Sequence, residues 1–273
     1  MSLSTNRENL LLSAYSFVKR SGFLQTSLGR RLFKSAYFLY KEYIEDDLQD
    51  LLHAYPTLVG GGNVLDVGAN IGYTAAVLAR AAESGRTIYA FEPEPFNFRI
   101  LQQTSQQPEF KGKIVPVQLA VGSEDGSIDL WINDRHHADH RIATKTFRSA
   151  HPGSKQVSVS LSTIDSFLES RPGQVSFIKI DVQGYELAVC QGMQTTLRRN
   201  PDTAIVLEFM PSAMRELGFE PSHLIDFFVE REFKIYQVHP RGVLSQGMPA
   251  ITKNSSYINL LFSHHSIPCG SEK

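Results

Sequence analysis

The sequence predicts an α/β fold in which a mostly parallel sheet carries helices on both faces. Short apolar segments typical of strands alternate with helical segments along most of the chain, as they do in parallel sheets. A glycine-rich turn follows the first of these strands, and acidic residues follow several later ones. Ligands of such sheets bind where the strands end, so we expect the functional residues at that edge.

The composition of the chain fits a globular protein with a full core. Of its 273 residues, 42% are hydrophobic and 20% are charged, and a chain of this length can bury roughly 70–75% of its unfolded surface. The 27 basic and 28 acidic residues give a net charge of −1. No nucleic-acid partner is therefore expected, because binding along a phosphate backbone needs an excess of basic residues.

The expected location of the protein is cytoplasmic. The chain has two cysteines, Cys190 and Cys269, which excludes a disulfide framework and fits a reducing compartment. Its beginning lacks the basic-then-apolar order of a secretion signal. No apolar run approaches the ~20 residues of a membrane span, so none is expected.

Residues 1–58 are expected to form a helical extension, followed by a main domain over 59–267 and a tail over 268–273. Apolar residues at a helical period predict helices over 9–19, 27–44 and 46–53. Residues 1–41 hold an excess of basic residues, which are Arg7, Lys19, Arg20, Arg30, Arg31, Lys34 and Lys41. Two interpretations stay open: a cap on the main domain, or a face for an acidic substrate, a membrane surface or a partner subunit. The oligomeric state is not determined.

The main domain begins after three glycines with alternating strands and helices. Apolar runs predict strands over 63–67, 87–91, 114–121, 175–182 and 203–209. A period of two, typical of half-buried strands, marks 127–132 and 156–161. Helices are expected over 73–82, 97–107, 162–168, 185–198, 213–217 and 222–230. Strands over 233–238 and 257–262 close the domain.

The turn after the first strand has the composition of a ligand-binding turn. Its residues are Asp66, Val67, Gly68, Ala69, Asn70, Ile71, Gly72 and Tyr73. Glycines permit a tight turn and a close approach of the backbone to a ligand, and the helix that begins here offers free N–H groups. The full dinucleotide fingerprint is absent, because Asn70 stands at its middle glycine and the spacing differs.

A second acidic residue makes a nucleoside ligand the favoured interpretation of this turn. Glu92 ends the second strand, 24 residues after Gly68, and an acid at about this distance can accept hydrogen bonds from both hydroxyls of a ribose. The charge of Asp66 would repel a pyrophosphate and favour a cationic ligand. This combination points to S-adenosylmethionine. The alternative is an ordinary strand–turn–helix with a capping aspartate.

Five segments in this order resemble the FkbM family of S-adenosylmethionine-dependent methyltransferases. They are DVGANIGY at 66–73, FEPEP at 91–95, LSTIDSFL at 161–168, IKIDVQGYE at 178–186 and VLEF at 206–209. The resemblance covers about residues 55–262. It implies a Rossmann-like class I methyltransferase fold, with a seven-stranded, mostly parallel sheet whose last strand is antiparallel. It also implies O-methylation of a hydroxyl on a sugar, glycan or secondary metabolite, hence a small-molecule or glycan partner.

The resemblance also implies roles for individual residues. The cofactor would be contacted by Asp66, Gly68, Ala69, Asn70, Gly72, Tyr73, Glu92 and Asp181. Among these, Glu92 would bind the ribose and Asp181 would lie beside the reacting end. The chain departs from the family at Gln183, where glutamate is more common, and this removes a charge beside Asp181. The loop over 133–144 differs too, so the substrate does not carry over.

Two acids at strand ends are the first catalytic candidates. Asp181 follows the fourth main strand and Glu208 ends the fifth, so they are expected to be neighbours in a parallel sheet. A hydroxyl acceptor benefits from a base or a metal, because a neutral alcohol is a poor nucleophile. The pair could hold Mg²⁺ or only orient other groups. We expect no metal.

A histidine cluster supplies the other candidates. His137, Asp139 and His140 match three of the four positions of a metallo-hydrolase motif, and Arg135 stands at the fourth. The favoured role is that His137 or His140 removes a proton or contacts the acceptor, because histidine titrates near neutral pH. Arg135 and Arg141 could hold an anionic group of the substrate. A metal-dependent hydrolase and a non-catalytic nucleoside-binding module remain as alternatives.

Overall fold

The computed structural model describes residues 26, 29, 38, 47–132, 140–151, 153, 155–171, 173–248 and 257–269. The predicted helices over 9–19 and 27–44 lie outside these ranges, apart from isolated residues. The strands in chain order are β1 Asn63–Val67, β2 Ile88–Phe91, β3 Ile114–Val117, β4 Ala120–Val121, β5 Gly126–Trp131, β6 Arg141–Ile142, β7 Gln156–Ser162, β8 Val175–Ile180, β9 Ala204–Phe209, β10 Lys234–Val238, β11 Leu244–Gln246 and β12 Ile258–Ser263.

The main sheet confirms the predicted α/β fold. Its order is β11-β10-β12-β9-β8-β1-β2-β3. The five strands from β9 to β3 in this order are parallel. The last strand, β12, runs antiparallel to both neighbours, β9 and β10. The sheet has one strand more than the seven expected, because the short β11 pairs with β10 at the edge.

A second, four-stranded sheet has the order β4-β7-β5-β6. It contains both segments that the period of two predicted as half-buried strands. The single strand predicted over 114–121 is wrong, because the chain leaves the main sheet after Val117. Ala120 and Val121 instead pair with Leu161 and Ser162 of β7. An apolar run does not indicate which sheet each half of it joins.

The helices in chain order are α1 Asp47–Ala54, α2 Tyr73–Ala81, α3 Pro95–Ser105, α4 Lys145–Ala150, α5 Ile164–Glu169, α6 Glu186–Gln191, α7 Gln194–Arg199, α8 Pro211–Leu217 and α9 Pro221–Val229. The long helix predicted over 185–198 is divided between α6 and α7. The break lies at Gly192, where a Cβ would stand 2.0 Å from the carbonyl oxygen of Gly122. Any residue with a side chain at position 192 would collide with the backbone of Gly122.

The main sheet is buried on both faces, as its continuous apolar strands predict. Alternate residues of β9 enter different hydrophobic clusters: Ile205 and Leu207 join one, and Val206 joins the other. Helix α1 packs into the second cluster through Leu51 and Leu52, so the end of the predicted extension lies against the main domain.

The domain boundaries at 58 and 267 stay predictions. No helix within the described ranges is both long and apolar enough to cross a membrane.

Candidate functional site

A cavity of about 430 Å³ opens at the edge where the parallel strands end. Its wall includes the β1–α2 turn, Glu92, Asp181 and Glu208, which is the edge where the sequence analysis expects the functional residues. Helix α1 adds apolar side chains, and β12 adds a polar one, Asn259. The cavity is therefore built by residues from both ends of the described chain.

The β1–α2 turn is pinned between the neighbouring strands. The N–H groups of Gly68 and Ala69 donate to the carbonyl oxygen of Phe91 at 3.1 and 2.9 Å. Gly68 has a φ of +89°, and a Cβ there would stand 1.9 Å from the carbonyl oxygen of Asp181. Glycine is required at this position because two backbones touch. Gly68 and Ala69 both line the cavity.

The following residues of the turn divide between the cavity and the core. Asn70 and Tyr73 line the cavity. The Asn70 Oδ1 atom is buried, and none of the described residues donates a hydrogen bond to it. Gly72 is not among the lining residues; a Cβ there would stand 2.8 Å from Leu101 Cδ1 of α3. Gly72 therefore packs closely against α3, and its contact with the cofactor stays a prediction.

Glu92 is held at the cavity wall by two backbone donors. Asn70 N donates to its Oε2 and Glu94 N to its Oε1, both at 2.9 Å. Burial raises the pKa of Glu92 to about 8 despite these hydrogen bonds. Carboxyl oxygens accept more than one hydrogen bond, so Glu92 keeps capacity for hydroxyl donors in the cavity.

Asp66 lies within the sheet and is absent from the cavity wall. It pairs in register with Ala90 of β2 and Lys179 of β8. Its Oδ2 atom is buried and accepts no hydrogen bond from the part of the chain that the structure describes. Burial raises the pKa of Asp66 to about 7, opposed by the charge of Lys179 and assisted by that of Asp181. Asp66 is not among the residues that line the cavity, and its direct contact with the cofactor stays a prediction.

Asp181 and Glu208 meet as predicted, since Ile180 and Leu207 are paired in register just before them. The Gln183 side-chain amide joins the two carboxyls. Its Nε2 donates to Asp181 Oδ1 at 2.9 Å and to Glu208 Oε2 at 3.3 Å. Burial, then the nearby charge of Asp181, raise the pKa of Glu208 to about 8. A side-chain hydrogen bond with Asp181 also contributes to this rise, so the two carboxyls lie in contact.

Sequence reasoning missed Lys179, which lines the cavity with its side chain buried. Its Nζ donates to the carbonyl oxygen of Ile180 at 3.2 Å, and its charge lowers the pKa of both Asp66 and Glu208. The sequence contains a signal for it, because a lysine inside the apolar run 175–180 predicts buried acidic partners nearby.

A second feature that the sequence did not predict is a hydrogen bond between the first described helix, α1, and the last strand, β12. Asn259 Nδ2 of β12 donates to Asp47 Oδ2 of α1 at 3.3 Å, and both residues line the cavity. No sequence signal could have found this pair, because its members stand 212 positions apart.

The structure describes part of the histidine cluster. His140, which precedes β6, lines the cavity, whereas Arg135, His137 and Asp139 lie outside the described residues, so their roles stay predictions. Arg141 forms an ion pair with Glu216 at 2.5 Å and is not a lining residue, so its proposed contact with an anionic substrate is not supported. Within the described ranges, no three His, Cys, Asp or Glu side chains are grouped to hold a metal ion.

Comparison with known proteins agrees with this architecture. The family model described as the methyltransferase FkbM domain matches residues 66–235. One curated relative, the hexuronic acid methyltransferase AglP of Haloferax volcanii, is 31% identical over 139 residues, which are 49% of this chain and 50% of the relative. The match thus spans about half the length of that relative.

Two solved structures are similar to this chain at low sequence identity, and the first of them shares its fold. The methyltransferase FkbM from Methylobacillus flagellatus KT is 16% identical, with a TM-score of 0.50 over 82% of this chain and 50% of that chain. An O-methyltransferase from Bacillus cereus, solved in complex with SAH, is 13% identical, with a TM-score of 0.47 over 88% of this chain and 89% of that chain. The family model covers more than half of the sequence, and its match begins at the turn that forms the cavity wall. The chain therefore belongs to the FkbM methyltransferase family.

Proposed function

We propose that the protein transfers a methyl group from S-adenosylmethionine to a hydroxyl oxygen of a sugar or another small polyhydroxylated molecule. The observation that carries this proposal is the cavity at the strand ends. It holds Glu92, an acid placed to bind ribose hydroxyls, and the carboxyls of Asp181 and Glu208, which the Gln183 amide joins. Its volume of about 430 Å³ falls in the range usual for small-molecule sites.

The polar groups of the wall fit this cofactor. The ligand offers hydrogen-bond donors, namely ribose hydroxyls and an ammonium group. The wall offers acceptors, including the Glu92 carboxyl and the Asn70 Oδ1 atom, to which no described residue donates. Gly68, Ala69, Asn70 and Tyr73 would hold the cofactor with Glu92, and Asp181 would accept from its amino end. When bound, the cofactor supplies an electrophilic methyl group on a positively charged sulfur.

The acceptor hydroxyl needs positioning and removal of its proton. Orientation alone can contribute about 7–11 kcal/mol to such a displacement. Asp181 and His140 stand at the cavity as candidates to accept the proton, and His137 stays a further candidate. Burial and the neighbouring Asp181 favour the protonated form of Glu208, which fits Glu208 to orient the acceptor by a hydrogen bond. The proposal assigns no role to Mg²⁺.

A sugar acceptor is supported by the wall and by a relative. Asp47, His140 and Asn259 add polar side chains to the cavity, as recognition of a polyol requires. The similar AglP protein is named a hexuronic acid methyltransferase. Family membership favours methyl transfer over the hydrolase and the non-catalytic module. The proposed partner is therefore a small molecule or glycan.

Calorimetry with S-adenosylhomocysteine tests the cofactor site. We expect the wild-type protein to bind, and Glu92→Ala to weaken binding by at least tenfold, because two ribose hydroxyls lose their partner and each such hydrogen bond contributes about 0.5–1.5 kcal/mol. Glu169→Gln, on an exposed residue at the end of α5, serves as the control and should bind as the wild type does. Absence of binding by the wild type at millimolar ligand would overturn the proposal.

The acceptor class needs a separate assay. Labelled S-adenosylmethionine would be offered with neutral hexosides, hexuronic acid glycosides and phenols, and the position of the methyl group read by mass spectrometry. We expect an ether on a sugar hydroxyl. Transfer only to nitrogen or to a carboxylate would rule out the proposed methylation of a hydroxyl group.

A further inference from the structure

We propose that Gln183 is a positioning residue that fixes the Asp181 carboxylate for the acceptor hydroxyl by bridging it to Glu208. This inference rests on the proposed function, because it assigns Asp181 to the reacting end of the cavity. Gln183 lines the cavity together with both carboxyls. It would act through Asp181 and not on the substrate itself.

The bridge uses both hydrogens of one amide nitrogen and adds no charge. A glutamine nitrogen carries two hydrogens, so one group can donate to two acceptors. Here the acceptors are Asp181 Oδ1 at 2.9 Å and Glu208 Oε2 at 3.3 Å. They belong to the ends of adjacent parallel strands, whose register extends to Ile180 and Leu207. The amide therefore joins the two strands at the point where the pairing of β8 with β9 ends.

The backbone is held in an unfavourable conformation to place this side chain. Gln183 has a φ of +54°, a left-handed geometry that is unfavourable for a residue with a side chain. The fully buried Glu186 maintains the turn, since its Oε1 accepts from Val182 N at 3.3 Å and from Gly184 N at 3.0 Å. Strain of this kind is characteristic of functional sites.

The charges around the bridge explain why a neutral donor is needed. The charge of Asp181 acts on the neighbouring carboxyls of Asp66, Glu186 and Glu208. The charge of Lys179 opposes this effect at Asp66 and Glu208. Burial already raises the pKa of Glu208 to about 8. A third carboxyl at position 183 would force another proton into the cluster, whereas the amide stabilises Asp181 without adding charge.

Two substitutions separate the hydrogen bonding of the Gln183 side chain from its size. Gln183→Glu keeps the size and replaces the double donor with an acid, and Gln183→Met keeps the length without a hydrogen bond. We expect both to lower kcat at least tenfold at pH 7. We further expect Gln183→Glu to move the midpoint of the rise of kcat with pH upward by at least one pH unit, because like charges raise a carboxyl pKa. Gln191→Glu, on an exposed residue of α6, is the matched control.

A measurement without ligand supplies an independent readout. The unfolding free energy of Gln183→Glu should fall more steeply between pH 6 and pH 8.5 than that of the wild type or of Gln191→Glu. If the activity and the stability of Gln183→Glu depend on pH as those of the wild type do, the inference is overturned. Failure of the wild type to bind S-adenosylhomocysteine would instead overturn the proposed function, so the two failures are distinguishable.

Discussion

At the scale of single residues, the candidate site depends on carboxyl groups kept away from water. Asp66, Glu92, Glu186 and Glu208 all have a raised pKa, with burial as the largest cause of each. Backbone N–H groups donate to Glu92 and Glu186, and Lys179 offsets the charge of the other two. Of these four acids, Glu92 and Glu208 line the cavity, where they can hydrogen-bond to the hydroxyl groups of a ligand.

The contact at Gly68 gives a prediction at this scale. In Gly68→Ala the new Cβ would stand 1.9 Å from the carbonyl oxygen of Asp181, so the turn must move away from β8. We expect a loss of more than about 3 kcal/mol in the free energy of unfolding, since strain and overpacking act together. Urea unfolding measures it.

Gly85→Ala is the matched control for backbone strain. Gly85 has a φ of +83°, close to that of Gly68, but a Cβ added there would have nothing within 4 Å. This substitution should cost only about 1–2 kcal/mol. An equal loss in both variants would mean that the approach to Asp181 does not explain the glycine at 68.

At the scale of elements, the site depends on helix α1 as well as on the strand ends. Leu48 and Leu51 line the cavity and are buried, and α1 packs on the segment Pro240–Gly242. The last helix of the predicted extension therefore forms part of the wall and is more than a connection to the main domain. The rest of the extension lies outside the described residues.

Gly242→Ala tests this wall. A Cβ at Gly242 would stand 2.6 Å from the carbonyl oxygen of Asp50 in α1, so we expect the helix to be displaced. Hydrogen exchange should show faster exchange over 47–54, with no change in α5. Gly247→Ala, also at a positive φ but with nothing within 4 Å, should leave α1 protected. Equal exchange over 47–54 in the two variants would contradict the proposed packing.

At the scale of the whole molecule, the buried acids make stability depend on pH. Their pKa values rise from 3.8 or 4.5 to about 7 or about 8. Between about pH 4 and pH 8 the folded protein therefore keeps protons that the unfolded chain has released. Under this linkage the free energy of unfolding falls as pH rises, by at most about 1.4 kcal/mol per pH unit for each titrating group.

Urea unfolding at pH 6 and pH 8.5 checks this expectation. The wild type should be less stable at pH 8.5, and Glu208→Gln should show a smaller difference because one titrating group is removed. Glu169→Gln should retain the wild-type difference. A wild-type stability that is flat or rises over this interval would refute the account.

The sequence by itself determined the parallel sheet and the acids at the strand ends, and its family resemblance predicted the antiparallel last strand. Strands buried on both faces must be apolar throughout, and a turn that touches a neighbouring strand must contain glycine, so both leave local signals. It did not determine where strand 114–121 divides, because an apolar run fits either sheet. The division of helix 185–198 at Gly192 depended likewise on a neighbouring chain segment.

Only the tertiary structure decided which residues form the cavity. Lys179 lines the cavity, whereas Asp66 and Gly72 do not. Gln183 joins the carboxyls at the ends of two adjacent strands. The tertiary structure also joins Asp47 to Asn259 across the length of the chain. The physical reason is that local composition encodes which segments are buried, whereas hydrogen bonds between distant side chains depend on how those segments pack.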